Sequence, residues 1–277
     1  MKKIKLILGI LIVASLVFSL NACNKEDASI NTDKEINLAS DEALSDKLFS
    51  DVKDIVDEAM GIGLKSTEID TIFMGPCVVK TIDTIGIPHT ITIDFGETNC
   101  LCRDGRYRRG KIMVHYTGRY RQVGTVITHT FDNYFVNDNQ LLGTKIVTNQ
   151  GFNSNNNMTW TISVNGQVIK ANNGGTITRV AERMREWSEG IETPHRRWDD
   201  VYLLTGTSTI TREDGSMQTS TITTALKKKM NCHWIVSGII EMQRTGKPLK
   251  VMDYGDGQCD DLATVTVNGE TRTIHLR

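Results

Sequence analysis

The amino-acid sequence predicts a mainly β fold, a large antiparallel meander with one N-terminal amphipathic helix. From about residue 72 to residue 277, runs rich in Thr, Val, Ile and aromatic residues alternate with turn dipeptides. The three- and four-residue apolar spacing of a helix is confined to about residues 40–60. Strands that follow one another without intervening helices pair antiparallel with their neighbours. A curved sheet, a half-barrel and a sandwich all fit this pattern.

Length and charge set the first limits on function. The chain has 277 residues, with 32 Lys and Arg against 33 Asp and Glu, so its formal net charge is −1. That length suits one large β-rich domain, which we assign to residues 38–277. Because the chain has no overall positive field, nucleic acid is not an expected partner, and an anionic ligand must meet a local basic patch.

The N-terminus has the order of a secretory signal. Lysines precede an apolar and small run of 15 residues, Leu6 to Leu20, which is shorter than the ~20 residues of a membrane span. The run ends in Leu20-Asn21-Ala22-Cys23, which resembles a bacterial lipobox. The resemblance implies that the signal peptide, residues 1–22, is removed and that Cys23 is acylated. The alternative is ordinary signal cleavage beside an unmodified Cys23.

Residues 23–37 are polar and predict a flexible tether. Within the tether, Lys25-Glu26-Asp27 resembles the export signal that sends Bacteroidota lipoproteins to the outer face of the outer membrane. The alternative is a solvated tether whose charges carry no signal. The resemblance implies a lipoprotein at the cell surface of a Gram-negative bacterium, with outer-membrane lipid as its partner through acylated Cys23.

One amphipathic helix is predicted at about residues 40–60. Its apolar residues recur at spacings of three and four: Leu44, Leu48, Val52, Ile55 and Ala59. Ser40 is the expected N-cap and Gly61 the expected stop. The polar face carries Asp and Glu where a membrane-surface helix needs Lys and Arg, so we expect this helix to pack on the protein core.

Turn dipeptides divide the rest of the chain into roughly a dozen strands. Two-residue hairpins are predicted at Asn165-Gly166, Asp214-Gly215 and Asn268-Gly269, with weaker turns at Thr245-Gly246 and Asp138-Asn139.

Two further features of the strand region need interpretation. Gly124, Gly143 and Gly206 each precede a Thr-rich run and are interpreted as residues that begin strands. The segment from Thr178 to Trp187 fits either period and is predicted to be a strand.

Two similar stretches, DFGETNC and DYGDGQC, predict two cross-strand disulfides. Cys232 and Cys259 are equidistant from a turn at Thr245-Gly246, and Cys77 and Cys100 are equidistant from one at Pro88-His89. Directly opposed residues of a hairpin are close enough for a disulfide.

This hairpin register leaves two questions open. Cys102 is the remaining cysteine of the domain, and its nearness to Cys100 does not settle which of the two is bonded. The register also places Asp83 opposite Asp94, a like-charged pair that favours a local bulge over a shared proton or cation.

No metal or other cofactor is expected. Cys100-Leu101-Cys102 lacks the spacing of a zinc site. Asp253, Asp256 and Asp260 surround two glycines and form a weak calcium candidate. They match no Asp-x-Asp-x-Asp-Gly loop, and we interpret them as solvated turn residues.

Motifs of known enzymes are also missing from the sequence. It holds no nucleophile elbow, His-Glu-x-x-His, P-loop or Gly-x-Gly-x-x-Gly stretch, and its six histidines are scattered. We assign no catalytic residue and favour a non-enzymatic protein, while catalysis without a known motif stays open.

The loop EGIETPHRRWDD is the first candidate for ligand binding. It interrupts the strands and places Trp198 among Arg196, Arg197 and Asp199, a mixture typical of sugar-binding platforms. The alternative is a tryptophan that folds back onto the sheet.

A basic cluster that includes Arg106 and Arg108 is the second candidate. Guanidinium groups could hold phosphates or acidic sugars, although a solvated sheet end is the simpler explanation.

Taken together, these features are similar to those of exported lipoproteins of Bacteroidota, a resemblance that implies a location and no activity. The first hypothesis is a membrane-anchored, non-enzymatic cell-surface module that binds a glycan or a protein through the Trp198 loop. The alternative is a periplasm-facing half-barrel carrier, in which the sheet wraps around the helix and holds a lipid or another hydrophobic ligand. A structural surface subunit is the third hypothesis.

Overall fold

The computed structural model describes residues 32–61, 73–193 and 196–276. Residues 32–277 cluster as one unit. The predicted signal peptide, the lipidated Cys23 and the tether as far as residue 31 lie outside the described residues. Within the described ranges, no helix combines the length and the apolar character that a membrane span requires.

The described chain contains one α-helix and fourteen strands. They are α1 Thr32–Ala59, β1 Val79–Asp83, β2 His89–Asp94, β3 Cys100–Leu101, β4 Tyr107–Tyr116, β5 Val126–Val136, β6 Asn139–Phe152, β7 Met158–Ile169, β8 Thr176–Glu189, β9 Val201–Arg212, β10 Met217–Lys229, β11 Ile235–Gln243, β12 Lys250–Asp256, β13 Leu262–Val267 and β14 Glu270–His275.

All fourteen strands belong to one open, curved antiparallel sheet. The strands lie in chain order, except that the short β3 pairs with β4 off the main path and leaves β2 beside β4. The predicted mainly β meander with a single helix is therefore confirmed. The segment from Thr178 to Trp187, predicted to be a strand, lies within β8.

Helix α1 begins at Thr32, and the predicted start at Ser40 is wrong. Ser40 lies inside the helix and donates its hydroxyl hydrogen bond to the carbonyl of Ile36, four residues earlier, at 3.3 Å. The first turns are helical because Glu35 and Leu38 are buried against the fold. Residues 32–37, assigned to the tether, therefore belong to the helix.

The sheet curls around α1, so that the helix contributes to two apolar clusters. Phe49, Val52 and Ile55 pack with residues of β2 to β9. Ala39 and Ala43 pack with residues of β10 to β14. The predicted packing of this helix on the protein core is confirmed, and it follows from the apolar stripe that its spacing creates.

The predicted hairpin at Asn165-Gly166 is wrong, because both residues lie inside β7. A Cβ added to Gly166 would come within 2.6 Å of the Phe49 ring and 2.5 Å of the Leu142 carbonyl oxygen. The glycine is needed where the helix approaches the sheet, and not for a turn.

Gly143 and Gly206 also lie inside strands, β6 and β9, and do not begin them. Both have positive φ, 99° and 117°, and a Cβ at either would lie 2.3 Å or less from a carbonyl oxygen of the neighbouring strand. Such positions accept only glycine. Gly124 does precede a strand, β5, as predicted.

Three of the predicted turns occur where the sequence places them. Asn268-Gly269 is a two-residue turn with both φ values positive, Asp214-Gly215 joins β9 to β10, and Thr245-Gly246 lies in the longer loop between β11 and β12.

The turn predicted at Asp138-Asn139 is displaced by one residue, to Asn137 and Asp138. Both of these residues have positive φ, the conformation that a two-residue hairpin requires.

Both predicted disulfides are present, Cys77–Cys100 and Cys232–Cys259, and Cys102 is the free cysteine. Their Cα atoms lie 6.1 and 5.7 Å apart. Cys77 and Cys100 lie beyond the end of the β1–β2 pairing, Cys100 in the short β3, and Cys232 and Cys259 lie beyond the end of the β11–β12 pairing.

The predicted hairpin registers are wrong. In the first hairpin Asp83 faces Thr90, and Asp94 faces Val79, so the like-charged pair does not form. In the second, Met242 faces Lys250, a shift of one residue from the predicted register. The cysteines still meet because a disulfide needs close Cβ atoms and not a regular ladder.

Candidate functional site

The polar side of α1 is acidic and faces basic residues of the sheet and its loops. The ion pairs that join the two are Glu35–Lys250, Glu35–Arg244, Asp41–Lys170, Asp41–Arg212, Glu42–Arg179, Glu42–Arg183, Asp46–Arg179, Asp46–Arg183, Asp51–Arg106 and Asp54–Arg197. These basic residues come from β8, β9, β12 and four connecting loops. Charge therefore anchors the helix along its whole length.

The centre of this interface is the Glu42 carboxylate. It accepts hydrogen bonds from Arg179 at 2.8 Å and from the Ser208 hydroxyl at 2.7 Å. Burial raises the pKa of Glu42, but the Arg179 and Arg183 guanidinium groups outweigh burial and hold the pKa below its ordinary value. Glu42 therefore stays ionised inside the fold.

Two further basic groups lie beneath the middle of the helix. The Lys145 ammonium donates a 2.7 Å hydrogen bond to the Phe49 carbonyl, and burial lowers its pKa to about 7. His129 contacts the Lys145 carbonyl at 3.0 Å, and burial lowers the pKa of this imidazole to about 3. Both groups are inside the fold, and their contacts are structural.

The Trp198 loop joins β8 to β9 and contains a short 3-10 helix, Arg197–Asp199. Trp198 is 48% exposed, so it does not fold back onto the sheet, and Arg196 is exposed beside it. The Asp199 carboxylate accepts a hydrogen bond from Thr193 at 2.9 Å.

Arg197, in contrast, is only 4% exposed and does not belong to this surface. It donates to Asp54 of α1 at 3.1 Å and lies over the Phe73 ring at 5.3 Å from its centroid. The structure thus brings three of the four predicted loop residues to the surface and turns the fourth toward the helix.

Arg106 and Arg108 are not available to a phosphate or an acidic sugar. Arg108 is 1% exposed and holds Asp104 through two hydrogen bonds, at 2.7 and 2.6 Å. Arg106 forms an ion pair with Asp51 of α1, and burial lowers its pKa to about 10. A solvated sheet end does not describe these two residues either, because Arg108 is buried with Asp104 and Arg106 is drawn toward Asp51 of the helix.

The weak calcium candidate does not form a ligand cluster. In the part of the chain that the structure describes, no group of three His, Cys, Asp or Glu side chains could hold a metal ion. Asp253 accepts a hydrogen bond from the Gly255 amide at 2.8 Å, and Asp260 accepts one from Leu262 at 3.0 Å. Asp256 lies in β12 opposite Ser237. Two of these carboxylates thus bond to nearby backbone, as turn aspartates do.

A groove of about 560 Å³ lies at the C-terminal end of α1. We call it the end groove. Its apolar and aromatic lining comes from the end of α1, the β1–β2 hairpin, β4 and the β4–β5 connection: Met60, Ile82, Ile91, Tyr116 and Tyr120. Its volume is that of pockets that hold small ligands.

Charge in the end groove has one sign. Lys80 and Arg119 line it, both exposed, together with His89, and none of its 13 lining residues is Asp or Glu. The Lys80 ammonium donates to the carbonyl of Ala59 at 3.0 Å, which places a cation at the negative end of the helix dipole. His89 packs against Tyr116 with ring centroids 5.1 Å apart.

A smaller pocket of about 30 Å³ lies between α1 and the start of β11, around Trp234 and Tyr254. Its charged groups are used within the fold. Lys47 bonds to Asp51 at 2.6 Å and to the His233 carbonyl at 2.9 Å, and Lys228 bonds to the Cys232 carbonyl. This pocket is therefore a weaker candidate than the end groove.

Sequence reasoning missed the end groove because its residues come from separate segments of the chain. Lys80 is a single basic residue in a strand pattern, and the sequence associates Arg119 with the basic cluster that includes Arg106 and Arg108, not with Lys80. Comparisons of the chain with protein-family models, with curated proteins and with solved structures each give no match.

Proposed function

We propose that this chain is a membrane-anchored, non-enzymatic lipoprotein whose end groove binds an amphipathic ligand with an anionic head. Acylated Cys23 holds it in the outer membrane, as the lipobox-like sequence implies. One observation carries the ligand class: the end groove combines apolar side chains with two exposed cations, and none of the described residues that line it is a carboxylate. The proposal favours the carrier hypothesis over the glycan hypothesis.

The apolar lining accounts for the hydrophobic part of the ligand. Ile82, Ile91 and Met60 offer hydrocarbon surface, and burying such surface contributes ~25 cal/mol per Å². Sugars present mostly hydroxyl groups, and the hydrocarbon side chains of Met60 and Ile82 offer them no hydrogen-bond partners. An acyl or alkyl chain suits it better.

The two cations account for the anionic head. Lys80 and Arg119 lie on the same groove, where a carboxylate or phosphate could accept charge-assisted hydrogen bonds. A hydrogen bond to a charged group contributes ~1.5–3 kcal/mol, so each cation should change the affinity by about tenfold or more.

Binding of matched detergents tests the ligand class. Dodecanoate and dodecyl phosphate, below their micellar concentrations, should bind residues 24–277 in calorimetry, and dodecyltrimethylammonium should not. The double variant Lys80→Gln/Arg119→Gln should bind the anions at least about tenfold more weakly. Lys227→Gln, in an exposed ion pair with Glu189 on β8, is the matched control and should bind normally. Equal binding of anion and cation would overturn the proposal.

A second experiment tests whether the segment after Gly61 affects ligand binding. Residues 62–72 lie outside the described residues, and Gly61 lines the groove. A chain in which a Gly-Ser linker replaces residues 64–70 should bind the anionic detergents as the intact chain does. If only the linker variant binds the detergents, the groove of the intact protein is not open and the proposal fails.

The glycan hypothesis keeps one observation in its favour, the exposed ring of Trp198 beside Arg196. A glycan array on residues 24–277 and on Trp198→Ala tests it. Binding that the substitution abolishes would support a sugar platform at this loop.

The anchor needs its own test. Metabolic labelling with palmitate in a Gram-negative host should label the wild type and not Cys23→Ala. Protease treatment of intact cells then separates a surface location from a periplasmic one.

A further inference from the structure

The tip of the β1–β2 hairpin presents two apolar side chains to solvent. Ile85 is 91% exposed and Ile87 is 75% exposed. A Cβ added to Gly86, between them, would meet no atom within 4 Å, so the tip projects from the described fold. Single exposed apolar residues are common on soluble proteins, but two adjacent β-branched side chains on a projecting tip form a contact surface.

We propose that this tip, Ile85 to Ile87, docks into the interfacial region of a phospholipid bilayer. The inference needs neither the ligand nor the groove of the proposed function. If both hold, docking would bring the mouth of the end groove to the membrane, because Ile82 and Thr84 of the same hairpin line the groove.

The backbone of the tip is suited to leaving water. An unsatisfied amide costs free energy in an apolar medium. The Ile85 amide donates to the Asp83 carboxylate at 2.8 Å, and Pro88 has no amide hydrogen to satisfy. One amide of the tip is thus bonded within the hairpin, and the residue that follows the tip carries no donor.

Charge near the tip favours a bilayer with anionic lipids. Lys80 belongs to the same hairpin, and Arg119 lines the end groove with it. Cations near a membrane surface attract phosphate headgroups. Asp83 carries the opposing charge, and its carboxylate is held by the Ile85 amide, on the tip itself. The local balance is positive.

A protein strand added to the edge of the sheet is the competing occupant. Among the described strands, β1 pairs only with β2, so its other edge is open. A strand would bond to the backbone of β1 and would not need Ile85 or Ile87, because both lie beyond the end of β1. The isoleucine side chains therefore favour the bilayer.

Vesicle co-sedimentation tests the proposal with residues 24–277, which include the whole described unit and lack the signal peptide. The wild type should sediment with phosphatidylcholine vesicles that contain phosphatidylglycerol, and more weakly with phosphatidylcholine alone. The double variant Ile85→Ser/Ile87→Ser should partition about tenfold less, or weaker still, because the apolar surface is lost.

The control variant removes exposed apolar side chains elsewhere on the sheet. Val180 and Met184, on β8, are 49% and 46% exposed, and Val180→Ser/Met184→Ser should bind vesicles as the wild type does. Circular dichroism melting should show that both double variants are folded.

Three outcomes would overturn the proposal: a wild type that does not bind vesicles, a tip variant that binds as well as the wild type, or a control variant that loses binding equally. Detergent binding measured in the absence of vesicles tests the proposed function separately from this inference. If vesicle binding fails while dodecanoate still binds, the docking tip is wrong and the groove stands.

Discussion

The Arg179 guanidinium donates a 2.8 Å hydrogen bond to the Glu42 carboxylate, and both side chains are enclosed between α1 and the middle of the sheet. A buried ion pair contributes little net stability compared with an apolar pair, but the loss of one partner leaves a charge without compensation. The attachment of the helix therefore depends on both residues together.

Glu42→Ala should lower the free energy of unfolding by about 3–5 kcal/mol, because Arg179 and Arg183 lose their shared carboxylate. Urea unfolding followed by circular dichroism measures this loss. Glu270→Ala, which removes an exposed ion pair with Arg272, should cost only about 0–1 kcal/mol. Similar losses of stability for the two variants would show that the buried ion pair stabilises the fold no more than the exposed one.

The second prediction concerns the buried Lys145, whose pKa is lowered to about 7. Between pH 7 and its ordinary pKa of 10.5, the unfolded chain holds the Lys145 proton and the native chain does not. The unfolded state therefore binds more protons, and the stability contributed by this group rises with pH across that window.

Lys145→Met removes this titration. The free energy of unfolding of the wild type minus that of Lys145→Met should rise between pH 7 and pH 10, by several kcal/mol at most. Urea unfolding at a series of pH values gives the difference directly. A difference that stays flat, or falls, would show that Lys145 remains protonated in the folded state.

The third prediction concerns the contact of Gly166 with the Phe49 ring. Gly166→Ala should destabilise the protein by about 1–3 kcal/mol, since the new methyl group would overlap the ring and the Leu142 carbonyl. Asn165→Ala, one residue earlier and exposed on the opposite face, should change stability by about 0.5 kcal/mol or less. If both variants melt alike, α1 does not press on this position.

The fourth prediction concerns the cysteines. Without reductant, peptide mapping should show the pairs Cys77–Cys100 and Cys232–Cys259. Cys102, which is free and buried, should resist iodoacetamide in the native protein and react once the protein is denatured. A bond between Cys77 and Cys102, or rapid labelling of Cys102 in the native state, would contradict the structure.

Much of the fold can be predicted from local patterns in the sequence. The strand region, the end of the helix at Ala59, the turn at Asn268-Gly269 and both disulfides follow from spacing and turn chemistry alone. These features depend on residues close in sequence, or on cysteines paired by hairpins, so short-range rules find them.

The errors occur where distant residues override a local signal. Ser40 looks like a helix cap, but the helix continues to Thr32 because Glu35 meets Lys250, which lies 215 residues further along the chain. Asn165-Gly166 looks like a turn, but the glycine makes room for Phe49. A local pattern cannot report what will pack against it.

The candidate site was not predictable for the same reason. Arg106, Arg108 and Arg197 look like free cations in the sequence, yet each is neutralised by an aspartate and withdrawn from the surface. Lys80, which the sequence does not single out, and Arg119, which the sequence associates with the basic cluster of Arg106 and Arg108, are the cations that face the groove. Basic residues become sites only when the fold leaves them without acidic partners.

Periodicity and turn residues suffice to specify an antiparallel β protein with one core helix, because they act through backbone geometry within a few residues. Contacts between distant residues, such as Glu42 and Arg179, 137 residues apart, decide the rest. They determine which charges are neutralised, which glycines pack against an aromatic ring, and where a groove stays open. Those pairs form only when the sheet curves around the helix, because ion pairing and close packing require contact in space.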